Sequence, residues 1–167
     1  MQFGPFPEEH CFCIDRSSLY QRIQKEVKMA DFLLLKERRD FAPVVWVVEA
    51  KSSNPHTEAN LSGLNNYISE IGEKLENAVN LWLALGLGRH GLAKNELPAP
   101  LRDPDLSAIG FRLVLVIRDC ENADLPQLQD ALLQRLRRTI HLWAMGANVV
   151  VVMNEKMARK HGLIRLS

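Results

Sequence analysis

No stretch of this sequence is long and apolar enough to read as a membrane span. The longest nearly uninterrupted run, Val79 to Gly88, is about half of the ~20 residues required, and Asn80 interrupts it. Cysteine is scarce: Cys11, Cys13 and Cys120 are an odd number, and Cys11-Phe12-Cys13 lacks the two-residue spacer of a zinc knuckle or redox motif. The thiols therefore read as small core side chains in a reducing setting. An excess of one charge is also missing. Twenty-one Lys and Arg oppose twenty Asp and Glu, a net +1, so a polyanion would have to be held by a local patch. Residues 1–10 carry Glu8 and Glu9 and no Lys or Arg, which does not match a secretory signal. The expectation is a soluble, cytoplasmic protein without membrane partners.

Several motifs are absent as well. There is no Gly-x-x-x-x-Gly-Lys phosphate loop, no Gly-x-Ser-x-Gly elbow and no His-Glu-x-x-His helix. Gly86-Leu87-Gly88-Arg89-His90-Gly91 matches Gly-x-Gly-x-x-Gly literally. It follows a helical pattern instead of a strand and precedes Pro98 and Pro100, so the glycines read as a helix end and not as a dinucleotide site.

What is present is an ordinary globular composition, 47% hydrophobic and 25% charged over 167 residues. A chain of this size buries roughly 70% of its unfolded surface and can build one core. Cys11 to Ile14 is a candidate short strand, and Asp15 or Ser17 a cap for a helix over Ser18 to Glu26. Ala30 to Leu35 and Val44 to Val48 read as adjacent strands joined by a polar hairpin loop, Lys36 to Pro43. Leu64, Ile68, Ile71, Leu75, Val79, Trp82 and Leu85 have the three-and-four spacing of a long helix, with Glu70, Glu73 and Glu76 on its outer face. Glycines and prolines between Gly86 and Gly110 predict an irregular connection. A strand (Phe111–Ile117), a helix opened by Pro126 with Leu128, Leu132, Leu136, Ile140 and Trp143 on one face, and a strand (Val149–Met153) complete the chain. This alternation predicts a single α/β domain, residues 1–167, with a mixed central sheet flanked by helices.

In the strand from Val44, a period of two puts Val45, Val47, Glu49 and Lys51 on one face and Trp46, Val48 and Ala50 on the other. An apolar run that ends in a carboxylate and an ammonium places both at the mouth of a buried sheet, where desolvation costs several kcal/mol unless it is compensated. Asp31 interrupts the preceding apolar run in the same way. If the two runs pair as a hairpin, Asp31 and Glu49 finish at the same end. Two carboxylates that close repel unless a cation lies between them, and one or two carboxylates with waters suit Mg²⁺. The competing reading makes Glu49 and Lys51 an ordinary strand-end ion pair, worth about 0–1 kcal/mol if exposed.

Asp31, followed after seventeen residues by Glu49-Ala50-Lys51 at the end of a hydrophobic strand, resembles the signature of the PD-(D/E)XK nuclease superfamily, and the order of elements resembles its restriction-endonuclease-like fold. The resemblance implies a Mg²⁺- or Mn²⁺-dependent nuclease that cuts DNA with metal-activated water. It implies Asp31 and Glu49 as metal ligands, with Ala50 in the ligand set, and Lys51 as the catalytic lysine. Ala30 stands where the motif has proline. Glu26 is the position that corresponds to a first-helix Glu used by several members. Some exonuclease-like members have Gln four residues before a helical Tyr; here Gly63 holds that place before Tyr67.

For contacts with nucleic acid the candidates are Ser52, Ser53 and Asn54, which follow Lys51 directly, then Arg89, His90 and Lys94 in the irregular connection, and Arg135, Arg137 and Arg138 late in the last long helix. Lys156, Arg159 and Lys160 form a basic tail, and His56 reads as a solvated loop residue. A near-neutral domain has little surface for choosing a sequence, so a homodimer or larger partner subunit would supply it. The alternative is a non-catalytic module of the same fold that binds nucleic acid or protein.

Overall fold

The computed structural model describes residues 1–53 and 61–165, with side chains described from Gly63 onward in the second stretch. Asn54 and His56 lie outside the described residues. The strands are β1 (Cys11–Cys13), β2 (Phe32–Arg38), β3 (Phe41–Ser53), β4 (Gly110–Asp119) and β5 (Val150–Asn154). They form one sheet in chain order, with β1, β2 and β3 antiparallel and β3, β4 and β5 parallel. The helices are α1 (Ser18–Ile23), α2 (Leu61–Gly86), α3 (Ala99–Arg102), α4 (Leu125–Leu142) and α5 (Glu155–Lys160). This is the expected single α/β domain with a mixed sheet flanked by helices.

Parallel neighbours need crossovers, and successive crossovers of one hand stepping in one direction put their helices on one face. Both α2 and α4 accordingly cover the sheet face that carries Val45, Val47, Leu113 and Leu115, sealing it with Ile71, Leu75, Leu128 and Leu132. The opposite face, with Trp46, Val48, Val114 and Val116, is covered by the N-terminal residues, α5 and Leu163. The three cysteines are free, and burial, followed by the neighbouring Cys13, pushes the Cys11 thiol up to about 12. That agrees with packing side chains. No described helix is long and apolar enough to cross a membrane.

Four local expectations need correction. The polar segment after Leu35 is mostly strand: β2 runs to Arg38, β3 starts at Phe41, and the turn is two residues long. Pairing along the hairpin extends the ladder past the apolar run, and Pro43 lies where the register shifts between Lys36 and Arg38, so its missing N–H interrupts no regular pairing. The connection from Gly86 to Gly110 is folded, with a 3₁₀ segment at Gly91–Glu96 and α3. Leu97 and Leu101 are buried, and the Trp82 indole donates to the Leu101 carbonyl at 2.7 Å. Here Pro and Gly mark the ends of short helical segments instead of a wholly irregular stretch. Trp143 is partly exposed because α4 ends at Leu142 and Trp143 is its C-cap. Finally, the basic tail is helical: Lys156, Arg159 and Lys160 lie on α5.

Asn154 starts that helix. Its side chain is 7% exposed, accepts from the Met157 N–H at 3.0 Å, and donates to Asn122 Oδ1 and the Cys120 carbonyl. One amide thus ties β5, the loop after β4 and the first turn of α5. Asn154→Ala removes a helix cap and two further hydrogen bonds made by a buried amide, so a loss of about 2 kcal/mol in urea unfolding is expected; a loss under about 0.5 kcal/mol contradicts this role.

Candidate active site

Asp31 immediately precedes β2, and its N–H donates to the Val48 carbonyl at 3.0 Å. Since Phe32 pairs with Val48 and Leu33 with Val47, Asp31 falls opposite Glu49. Leu33 and Val47 face α2, and alternation gives Asp31, Glu49 and Lys51 the same face. The Asp31 carboxylate is held by the Ala50 N–H, 2.7 Å from Oδ2. The hairpin therefore brings together the two acids predicted to meet, with Lys51 beside them.

Glu49 is 1% exposed. Its Oε1 lies 2.8 Å from Lys74 Nζ and 3.5 Å from Lys51 Nζ. Its Oε2 is buried and has no hydrogen-bond partner; among the described residues the Tyr67 hydroxyl is the other side-chain atom in that condition. Both orphans belong to this site, since Tyr67 is on α2 with its ring 6.0 Å from Lys51 Nζ. Burial raises the carboxyl of Glu49, and the charge on Asp31 raises it further against the pull of Lys74 and Lys51. Burial raises Asp31 too, opposed first by the Ala50 N–H. Ionising both acids here is unfavourable, and a cation between them would relieve it.

Helix α2 adds residues that the sequence reading placed elsewhere or passed over. Tyr67, Glu70 and Lys74 lie at helical spacing on one side of the helix. Glu70, expected on the solvated face, accepts from Lys51 at 3.1 Å and has Lys74 at 3.9 Å and Lys28 at 4.0 Å. The Lys51 hydrogen bond is the first cause that holds the Glu70 carboxyl below its ordinary value. Burial alone would lower Lys74, but Glu49 and Glu70 outweigh it and hold the ammonium above the usual lysine value. The Lys74 carbonyl also accepts from the Ala30 N–H, and Asn77 Nδ2 donates to the Lys28 carbonyl, so α2 pins the segment that delivers Asp31. The available signal was phase: Tyr67 and Lys74 each precede a buried residue, Ile68 and Leu75, and so border the apolar stripe.

The other candidates distribute unevenly. Ser52 and Ser53 are exposed at the end of β3, next to Lys51. Arg89 and Lys94 are not brought to the carboxylates. They follow the far end of α2, Gly86, about 18 Å along the helix from Lys74, and Lys94 pairs with Asp103 at 2.9 Å. Arg135 is committed to α2, forking onto Glu76 at 3.0 and 3.1 Å across Gly72, where an added Cβ would fall 2.6 Å from its Cγ. Glu76 is thus a helix–helix tether and not a solvated charge. Arg137 and Arg138 remain exposed on α4. Glu26 is exposed in the turn after α1 and does not join the acids.

The chain matches no family model, no curated protein and no solved structure.

The donors present suit a hard divalent ion. Asp31 and Glu49 supply carboxylates, one with an orphaned buried oxygen, Ala50 can supply only its carbonyl, and Mg²⁺ completes such sets with water and substrate phosphate. No group of three His, Cys, Asp or Glu poised to hold a metal occurs among the described residues, so the ion would keep much of its water shell.

Proposed function

We propose that this chain is a Mg²⁺- or Mn²⁺-dependent nuclease of the PD-(D/E)XK kind, hydrolysing phosphodiester bonds of DNA. The observation that carries the reading is a fully buried glutamate with one unpartnered oxygen, facing a second carboxylate at a strand end. A fold tolerates that arrangement badly unless the site gains a ligand. Asp31 and Glu49 would hold the ion, whose chemistry is to acidify water and polarise a phosphoryl oxygen. Lys51 is 3.5 Å from the same carboxylate and partly exposed near the end of β3. There its ammonium can orient the attacking water and meet charge that develops on the phosphate. Ser52 and Ser53, exposed at the end of β3, would be available to donate to a bound phosphate.

The test is incubation of the purified chain with single- and double-stranded DNA and Mn²⁺ or Mg²⁺. Cleavage that disappears with chelator and returns with metal is expected; absence of both cleavage and Mn²⁺ binding contradicts the reading. The second reading, a non-catalytic module that binds nucleic acid or protein, is favoured by one feature: Lys28, Lys51 and Lys74 already face Asp31, Glu49 and Glu70 in equal number. For that reading the expected result is DNA or protein binding that is indifferent to divalent ions.

A further inference from the structure

The cation nearest Glu49 comes from the protein itself. We propose that Lys74 is an exchangeable counter-ion of Glu49, and that a divalent cation enters the site by displacing its ammonium onto Glu70. The inference rests on the metal-site reading above and deepens it by naming the step that controls metal entry.

The geometry supplies both positions. Lys74 Nζ is 2.8 Å from Glu49 Oε1 and 3.9 Å from Glu70 Oε1. Glu70 precedes Lys74 by one helical turn, the spacing at which Glu and Lys pair across an α-helix, so a change of Lys74 rotamer moves the charge while α2 stays in place. Glu70 is the more exposed acid, with its side chain 39% accessible against 1% for Glu49. The displaced ammonium therefore moves toward water, and the vacated space lies beside the deeper carboxylate. A single ammonium leaves the second oxygen of Glu49 without a partner. A divalent ion with its waters can satisfy that oxygen and the charge of Asp31 together. Lys51 already bridges Glu49 and Glu70, at 3.5 and 3.1 Å, so the ammonium nearest the reaction keeps a partner throughout.

Lys74→Met deletes the competing charge while keeping an unbranched side chain of similar length. Mn²⁺ binding to the full chain, measured by titration calorimetry and by water-proton relaxation, is expected to tighten by about tenfold or more. Lys28→Met is the control: it removes the same charge from the same cluster at Glu70 without touching Glu49, and is expected to change Mn²⁺ affinity by less than about threefold. If Lys74→Met does not fold, as judged by circular dichroism, Lys74→Gln serves with the same expectations. Unchanged or weaker binding in the Lys74 variant, or equal tightening in the Lys28 variant, overturns the exchange while leaving the metal site standing. If neither the parent nor the Lys74 variant binds Mn²⁺, the metal-site reading itself falls.

Discussion

Glu49→Gln is expected to abolish Mn²⁺ binding and to lower metal-dependent cleavage by on the order of 10³-fold, with the chain still folded. Glutamine has the volume of glutamate and can still accept from Lys74, so the packing at the end of β3 persists. What it removes is the anionic oxygen that has no partner. Because that oxygen is buried and burial already raises the Glu49 carboxyl, the fold gains little from its charge. The loss of Lys74 and Lys51 pairing is cushioned by Glu70, which both lysines can reach. A melting midpoint within about 4 °C of the parent is expected. The two measurements together distinguish a ligand from a structural ion pair. A variant that melts far below the parent and still binds Mn²⁺ would show that Glu49 holds the fold, and the hydrolytic reading would be wrong.

Lys51→Met is expected to act differently: Mn²⁺ affinity stays within a few fold, and the rate of cleavage at saturating metal falls by on the order of 10²–10³-fold. Lys51 is 3.5 Å from Glu49 Oε1 and 3.1 Å from Glu70, so it is the weaker of the two lysine contacts to the buried acid. Its removal leaves Lys74 or a bound metal to neutralise Glu49, whereas among the three lysines of the cluster Lys51 alone is carried on β3 beside Glu49. Single-turnover cleavage with Mn²⁺ calorimetry alongside separates binding from chemistry. If Lys51→Met cleaves at the parent rate, Lys51 is a charge-balancing residue and another group must assist the water. If Mn²⁺ affinity changes as much as for Lys74→Met, the two lysines are equivalent and the distinct role argued for Lys74 disappears.

Much of this site was legible because strands obey a strict alternation. Two apolar runs interrupted at Asp31 and terminated by Glu49 and Lys51 could meet around buried acids only if paired as a hairpin, and the register of Phe32 with Val48 produces that meeting. The long helix was equally legible from its spacing, down to buried Ile71, Leu75 and Trp82. Charged positions were read less well. Glu70, Glu73 and Glu76 look alike in sequence, yet Glu70 meets lysines of the site, Glu76 is gripped by Arg135, and Glu73 is exposed. Periodicity tells which side of a helix is apolar, but the borders of that side carry either solvated charges or paired ones, depending on what the neighbouring element presents.

The basic candidates illustrate the same limit over longer distances. Arg89, Lys94 and Arg135 were grouped by charge alone, and the fold sends the first two to the opposite end of α2 and ties the third to Glu76. The order of elements, the hairpin and the shared face of Asp31, Glu49 and Lys51 follow from the sequence by itself, because backbone periodicity and hydrophobic burial act over short stretches of chain. That Lys74 and Tyr67 join those acids, and that one oxygen of Glu49 is left over, was decided by the docking of α2 on the sheet. That docking depends on side chains packing across twenty or more intervening residues, and helical phase places Tyr67 and Lys74 only at the border of the apolar stripe without naming what they meet.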